Sequence, residues 1–192
     1  LCRTANGWDI NGFGQLKDGR GNICPVTIIL PTIAMDAKEE LDNEIKGSFV
    51  PQSVEWYQNQ HTKKFLKILD KAIDDAKDML IERFEYICSQ SPEAATFMYE
   101  NNVMAGYVPE EGIRSALKHG TLAVGQLGLA ECLQILIHCD HTSKEGMELA
   151  KKIESLFKEK CAKFKEEYKL NFGVYYTPKC KRLTSVGASI AI

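Results

Sequence analysis

Residues 2–31, CRTANGWDINGFGQLKDGRGNICPVTIILP, decide how the chain is read. Five of the fourteen glycines fall between Gly7 and Gly21, a density that suits a backbone forced through tight turns and close approaches. Asn11-Gly12, between Ile10 and Phe13, and Asp18-Gly19 soon after are dipeptides that favour the positive φ angles of hairpin turns. The segment therefore reads as a loop with a small hairpin. Val26-Thr27-Ile28-Ile29-Leu30 follows, apolar and β-branched, bounded by Pro25 and Pro31. It predicts a strand buried on both faces, as in a sheet or barrel wrapped by helices. A thiol at Cys2, just before the turns, could be carried by a loop tip into a cavity that helices and strands cannot reach. Arg3 beside it would favour the thiolate.

Outward from this stretch, helical periodicity dominates. From 51 to 89 the residues Phe65, Leu69, Ala72, Ala76, Leu80, Phe84 and Ile87 recur at the spacing of one helical face, and Ser91-Pro92-Glu93 then restarts a helix with Ser as N-cap. Tyr107-Val108-Pro109 marks a break. Residues 120–128 read as a short strand or loop leading into a helix over Leu129 to Ile137, and their glycine spacing is a weak phosphate-loop signal. A further helix runs from Thr142, with Thr142 and Glu145 spaced as a capping box. Its apolar stripe includes Met147, Ile153, Phe157, Cys161, Phe164 and Tyr168. Phe172 to Tyr176 predicts a last strand, closing at Thr177-Pro178. There a hydroxyl and backbone N–H groups could meet an anion if a helix started next, and a simple strand-ending turn fits the spacing equally. The class is α/β, largely helical with a few buried strands.

With 192 residues, 44% hydrophobic and 26% charged, the chain can bury one sizeable core, so one domain or part of one is expected. A net charge of −2 argues against a nucleic-acid clamp working by counterion release. No apolar run approaches the roughly eighteen residues of a membrane span, and no signal-peptide pattern opens the chain, so a cytoplasmic protein is expected. The start at Leu1, without an initiator methionine, reads as a piece of something longer. Residues 1–150 carry 14 basic and 22 acidic side chains, whereas 151–192 carry 10 and 4. This tail reads as a solvated lysine-rich helix or, alternatively, an anion-binding face. Seven cysteines without a CxxC pair argue against a disulfide framework or zinc ribbon. His138-Cys139-Asp140-His141, with Cys132 upstream, holds ligand-type side chains. A tetrahedral metal site needs a second cluster, and the histidines also suit a helix C-terminus, so no metal is assigned. Cys88 and Cys161 read as small core residues, and His61 as an exposed helix-start residue with no obvious partner.

Several blocks occur together in a known order: Cys2-Arg3-Thr4, Asn6-Gly7-Trp8, Asp18-Gly19-Arg20-Gly21-Asn22, Val26 to Pro31, Gly128-Leu129-Ala130-Glu131, Thr142-Ser143-Lys144-Glu145-Gly146, and Asn171 to Pro178. Together they resemble the anaerobic, glycyl-radical ribonucleoside-triphosphate reductases, and the chain looks like a central fragment of their catalytic subunit. The resemblance implies a strand barrel surrounded by helices, with residues 1–23 as a finger loop, 24–178 as strands and helices of the barrel, and 179–192 as a divergent tail. Cys2 matches the cysteine that in the family becomes a thiyl radical and abstracts the ribose 3′ hydrogen. Asn22 matches an asparagine placed near it. Thr177 matches the start of a loop similar to a substrate phosphate cradle, after which this chain reads Lys179-Cys180-Lys181-Arg182 in place of Ala-Glu.

The resemblance also implies groups whose sites are not in these residues: the glycyl radical, a four-cysteine zinc site, and an ATP or deoxynucleotide effector site. The implied reductant is formate or a thiol system. The implied partners are a ribonucleoside triphosphate, a radical-SAM activating enzyme and a second subunit in a homodimer, in cytoplasmic deoxyribonucleotide biosynthesis for DNA replication. Without the radical glycine, this chain alone is expected to be inactive, and its exposed strand edges are expected to cause oligomers. Two rival readings remain. One is another glycyl-radical enzyme of the formate-lyase kind, which commonly carries two adjacent cysteines where this chain has Cys2-Arg3. The other is a non-catalytic helical module that binds a partner through the helices at 51–89 and 142–168.

Overall fold

The apolar run ending at Leu30 divides between two elements. In a computed structural model, which describes residues 6–47 and 53–176, strand β1 spans Asn22–Ile29 and passes directly into helix α1, Leu30–Ile45. Pro31, expected to close the strand, instead lies in the first turn of α1, where a missing N–H is harmless and the fixed φ suits the helix. Leu30, Ile33, Ala34, Ala37 and Leu41 then recur at helical spacing and are buried. The expectation of a strand buried on both faces is also corrected. Ile28 is 8% exposed but Ile29 is 51% exposed. Side chains alternate as in a strand with one covered face.

The long periodic segment forms α2, Val54–Cys88. Ser91 accepts the Glu93 N–H at 3.2 Å and caps a short 3-10 turn, Pro92–Ala95, which leads into α3, Thr96–Glu100. After the break at Pro109 comes α4, Arg114–Leu117. The remaining elements are β2 (Thr121–Leu127), α5 (Leu129–Ile137), α6 (Lys144–Tyr168) and β3 (Asn171–Tyr176). The three strands form a small parallel sheet in the order β1-β2-β3. Ser143, not Thr142, caps α6. Its hydroxyl oxygen accepts the Gly146 N–H at 3.0 Å, while the Thr142 N–H and O–H both go to Asp140 Oδ1, at 2.8 and 2.6 Å. Among the described residues no helix is long and apolar enough to cross a membrane.

The described chain divides into two compact units. The first holds residues 6–26, 75–125 and 157–175. Its core is built from Leu80, Phe84, Leu122, Phe157, Phe164 and Phe172, all nearly or fully buried. The Phe164 and Phe172 rings meet edge to face at 5.5 Å, and Lys77 Nζ lies over both Phe164 and Tyr168, a cation–π arrangement that lets a charged side chain line an aromatic face.

The second unit holds residues 27–47, 53–74, 126–156 and 176. Here α1 packs on α5, and Leu30, Phe65, Leu69, Leu133 and Ile153 are fully buried. Gly128 sits at φ 82° at the start of α5, where a Cβ would lie 2.7 Å from the Pro31 ring. Gly128, one of the glycines behind the weak phosphate-loop signal, thus allows the start of α5 to approach the Pro31 ring closely. His61 is not an exposed, partnerless residue. It is 1% exposed, on the same face as Phe65 and Leu69, and its Nε2 stands 2.7 Å from the Ala34 carbonyl. A carbonyl only accepts, so Nε2 carries the proton, and burial lowers the imidazole pKa.

Candidate functional site

The glycine-rich segment forms a structured loop in the first unit. Asp9 and Gly14 pair as an isolated antiparallel bridge, the Asp9 N–H donating to the Gly14 carbonyl at 2.8 Å. Gly12 and Gly14, at φ 120° and 57°, supply the turn that Asn11-Gly12 predicts. The turn is closed from inside by the Asp9 carboxylate, which accepts the N–H groups of Asn11 at 2.9 Å and Phe13 at 3.0 Å. An aspartate bonding the backbone two residues on is the usual way this side chain stabilises a turn.

The same carboxylate reaches two distant segments. Asp9 Oδ2 stands 2.7 Å from His119 Nδ1, and Asp9 Oδ1 accepts from Asn171 Nδ2 at 2.7 Å. All three residues are buried, with exposures of 2%, 5% and 3% for Asp9, His119 and Asn171. Burial alone would raise the Asp9 pKa, but hydrogen bonds from Asn171, the Asn11 backbone, His119 and the Phe13 backbone outweigh it and hold the group at about 2. Asp9 is therefore ionised, and His119 Nδ1 donates to it. Asn171 also accepts the Ile10 N–H at 3.0 Å. Arg20, itself buried, donates to the His119 carbonyl at 2.7 Å, the Gly7 carbonyl at 3.1 Å and the Leu16 carbonyl at 2.6 Å.

A carboxylate–imidazole pair is the arrangement used in many proton-transfer sites. Here Phe13 stacks on one face of His119 at 3.9 Å with an interplanar angle of 14°, and Gly106, at φ 81°, packs at the Cδ2–Nε2 edge of the ring, where a Cβ would fall 2.8 Å from it and 2.9 Å from Phe13. The arrangement holds a loop in place. Beside it lies a cavity of about 280 Å³ lined by Asn6, Trp8, Thr121, Lys165, Asn171 and Phe172, with Lys165 Nζ donating to the Trp8 carbonyl at 2.8 Å.

Of the residues singled out from sequence, Cys2 and Thr177 lie outside the described residues. Asn22 is the first residue of β1 and is partly buried. The residue before it, Gly21, accepts the Thr121 N–H at 2.9 Å, which fixes Asn22 beside the start of β2. His138 caps the C-terminus of α5 with φ 58°, its N–H bonded to the Gln134 carbonyl. Cys139 and Asp140 take part in the turn before α6. Among the described residues no group of three His, Cys, Asp or Glu side chains could hold a metal ion. Cys161 is buried and Cys88 partly so. Asp9, His119 and Asn171 were not anticipated. The available signal was Asp9-x-Asn11-Gly12, which reads as a turn and says nothing of its partners.

Comparison with known proteins defines the class and then the family. In structure the chain resembles an anaerobic ribonucleotide reductase with a TM-score of 0.59 at 20% identity, over 90% of this chain and 23% of the other. It resembles the Thermotoga maritima anaerobic ribonucleotide reductase, solved with glycerol in its active site, equally well: TM-score 0.59 at 18% identity, over 87% of this chain and 23% of the other. In sequence it is 22% identical over 183 residues to the anaerobic ribonucleoside-triphosphate reductase of Escherichia coli strain K12, covering 92% of this chain. The chain spans 23% of that relative's length. Residues 1–185 match the anaerobic ribonucleoside-triphosphate reductase family, and the chain belongs to it.

Proposed function

We propose that this chain is the central part of the catalytic subunit of an anaerobic ribonucleoside-triphosphate reductase and that Cys2 carries the thiyl radical. The observation that carries the reading is the family match across residues 1–185, which includes Cys2, Asn22 and Thr177. The rigid loop that follows Cys2 supports it. When present elsewhere in the subunit, a glycyl radical would supply the oxidising equivalent for the Cys2 thiyl. Cys2 sulfur then takes the 3′ hydrogen of the ribose. The 2′ hydroxyl leaves as water after gaining a proton, C2′ gains a hydrogen in its place with the two electrons and a proton released as formate becomes carbon dioxide or a thiol pair becomes a disulfide, and Cys2 returns the abstracted hydrogen to C3′, regaining its thiyl state. Asn22 orients the ribose hydroxyls or the reductant through its amide, and Thr177 begins the loop that holds the triphosphate.

This reading places the protein in the cytoplasm, in deoxyribonucleotide biosynthesis for DNA replication, as a homodimer activated by a radical-SAM enzyme. In the radical-activated, full-length subunit, Cys2→Ser abolishes deoxynucleotide formation and Asn22→Ala lowers it. Undiminished reduction by Cys2→Ser would refute the assignment. The 192-residue chain alone, given activase and formate, forms no deoxynucleotide.

A further inference from the structure

Resting on the reading of Cys2 as the radical-bearing residue, we propose that Asp9, His119 and Asn171 are positioning residues for the same reaction. They lock the base of the loop so that the sulfur is presented to the sugar in one place.

Within this chain Phe13 packs on His119, while the loop's other large apolar side chains are more open. Trp8 is 60% exposed, Ile10 40% and Leu16 48%. What holds it is a carboxylate with both oxygens doubly bonded by donors. Oδ1 takes the Asn11 N–H and the Asn171 amide, and Oδ2 takes the Phe13 N–H and the His119 ring N–H. Each oxygen therefore ties the turn to a different segment: one to the first residue of β3, the other to the residue two before β2. Asn11 adds a second tie, its amide donating to the Lys118 and Lys169 carbonyls at 2.9 and 3.2 Å. Charge-assisted bonds with fixed directions set register in a way that apolar contact, which tolerates sliding, does not.

Cys2 lies seven residues before Asp9, so where the loop is anchored at Asp9 bounds where the Cys2 sulfur can be presented. A 1 Å misplacement of a reacting group can cost about 100-fold in rate. His119 is 5% exposed, with its Nδ1 bonded to Asp9 and one face stacked on Phe13, so it is placed to act through the loop.

The test uses the full-length, radical-activated subunit with saturating reductant. Asp9→Asn keeps the shape but turns one acceptor into a donor facing other donors. It should lower kcat by about 100-fold and leave KM for the ribonucleotide within about twofold. Leu136→Ala, at a fully buried residue of α5 in the other unit, serves as a control matched for loss of thermal stability and should keep kcat within about twofold. His119→Asn places an amide N–H where Nδ1–H stands and should keep kcat within about fivefold, whereas His119→Leu should fall as far as Asp9→Asn. Where Asp9→Asn fails to fold, the His119 pair decides. Unchanged kcat in Asp9→Asn, equal kcat in His119→Asn and His119→Leu, or an equal fall in the Leu136→Ala control would overturn the proposal. Cys2→Ser in the same assay separates the two claims. If it stays active, the reading of Cys2 fails; if it is dead while Asp9→Asn is fully active, only the positioning role fails.

Discussion

Asp9 should make the stability of this chain acid-sensitive in a defined window. Its carboxyl ionises at about 2 against an ordinary value of 3.8. That gap, at about 1.4 kcal/mol per pH unit, is worth about 2–3 kcal/mol of folding stability at neutral pH. Because the folded value is the lower one, the contribution is complete above the unfolded value near 4 and is lost as pH falls from about 4 towards 2. Asp9→Asn removes the titrating group, so the difference between wild type and variant should shrink by about 2 kcal/mol as pH falls from about 4 towards 2. Asp42, which accepts the Tyr57 hydroxyl, and Asp140, which accepts from Thr142, are also lowered, but they are common to both proteins and cancel in the difference. Urea unfolding at a series of pH values gives the measurement. Fluorescence of Trp8, which lies in the same loop, and backbone circular dichroism provide two signals. A wild-type minus variant difference that stays flat from pH 7 to 2 would show that the carboxylate is not held by these donors.

Gly106→Ala should cost about 2–4 kcal/mol, the sum of a positive-φ penalty and overpacking against His119 and Phe13, whereas Gly7→Ala, with open space and no positive φ, should change stability by less than about 1 kcal/mol in chemical denaturation. Ser143→Ala should cost about 1 kcal/mol through loss of the α6 cap, read as a lower Tm, with Thr142→Ala changing it less. Burial pushes the Cys161 thiol up to about 12 and the Cys132 thiol higher still, so both should resist alkylation at pH 8 until the chain unfolds, as followed by mass spectrometry. Rapid labelling of either in the native protein would contradict their burial.

What could be read directly from the chain was local. The helices α2 and α6 follow from apolar spacing over many turns, α5 lies where the sequence expects a helix, and β2 and β3 fall within a residue of their expected limits. The misreadings also have local causes. Pro31 is compatible with both the end of a strand and the first turn of a helix, and only the recurrence of Ile33, Ala34, Ala37 and Leu41 separates the two. His61 looked exposed because it sits near a helix start among polar residues. Its burial depends on Ala34 presenting a carbonyl from another helix, which no spacing within α2 reveals.

The loop anchor was hidden for a stronger reason. Asp9 lies 110 positions from His119 and 162 from Asn171, and each reads alone as an ordinary residue at the edge of an element. Yet the physics of the loop requires something of this kind. Glycines give the backbone its turns but also leave it many alternative paths, and an exposed Trp8, Ile10 and Leu16 contribute little to selecting one. An ionised carboxylate buried without partners would be strongly destabilising, so Asp9 is tolerated only where all its donors are in place at once. That condition ties the loop conformation to the correct placement of the residues leading into β2 and β3. A mispaired strand or a slipped loop would leave the charge unsatisfied, and the same cost that makes the residue expensive to bury therefore discriminates against the wrong register.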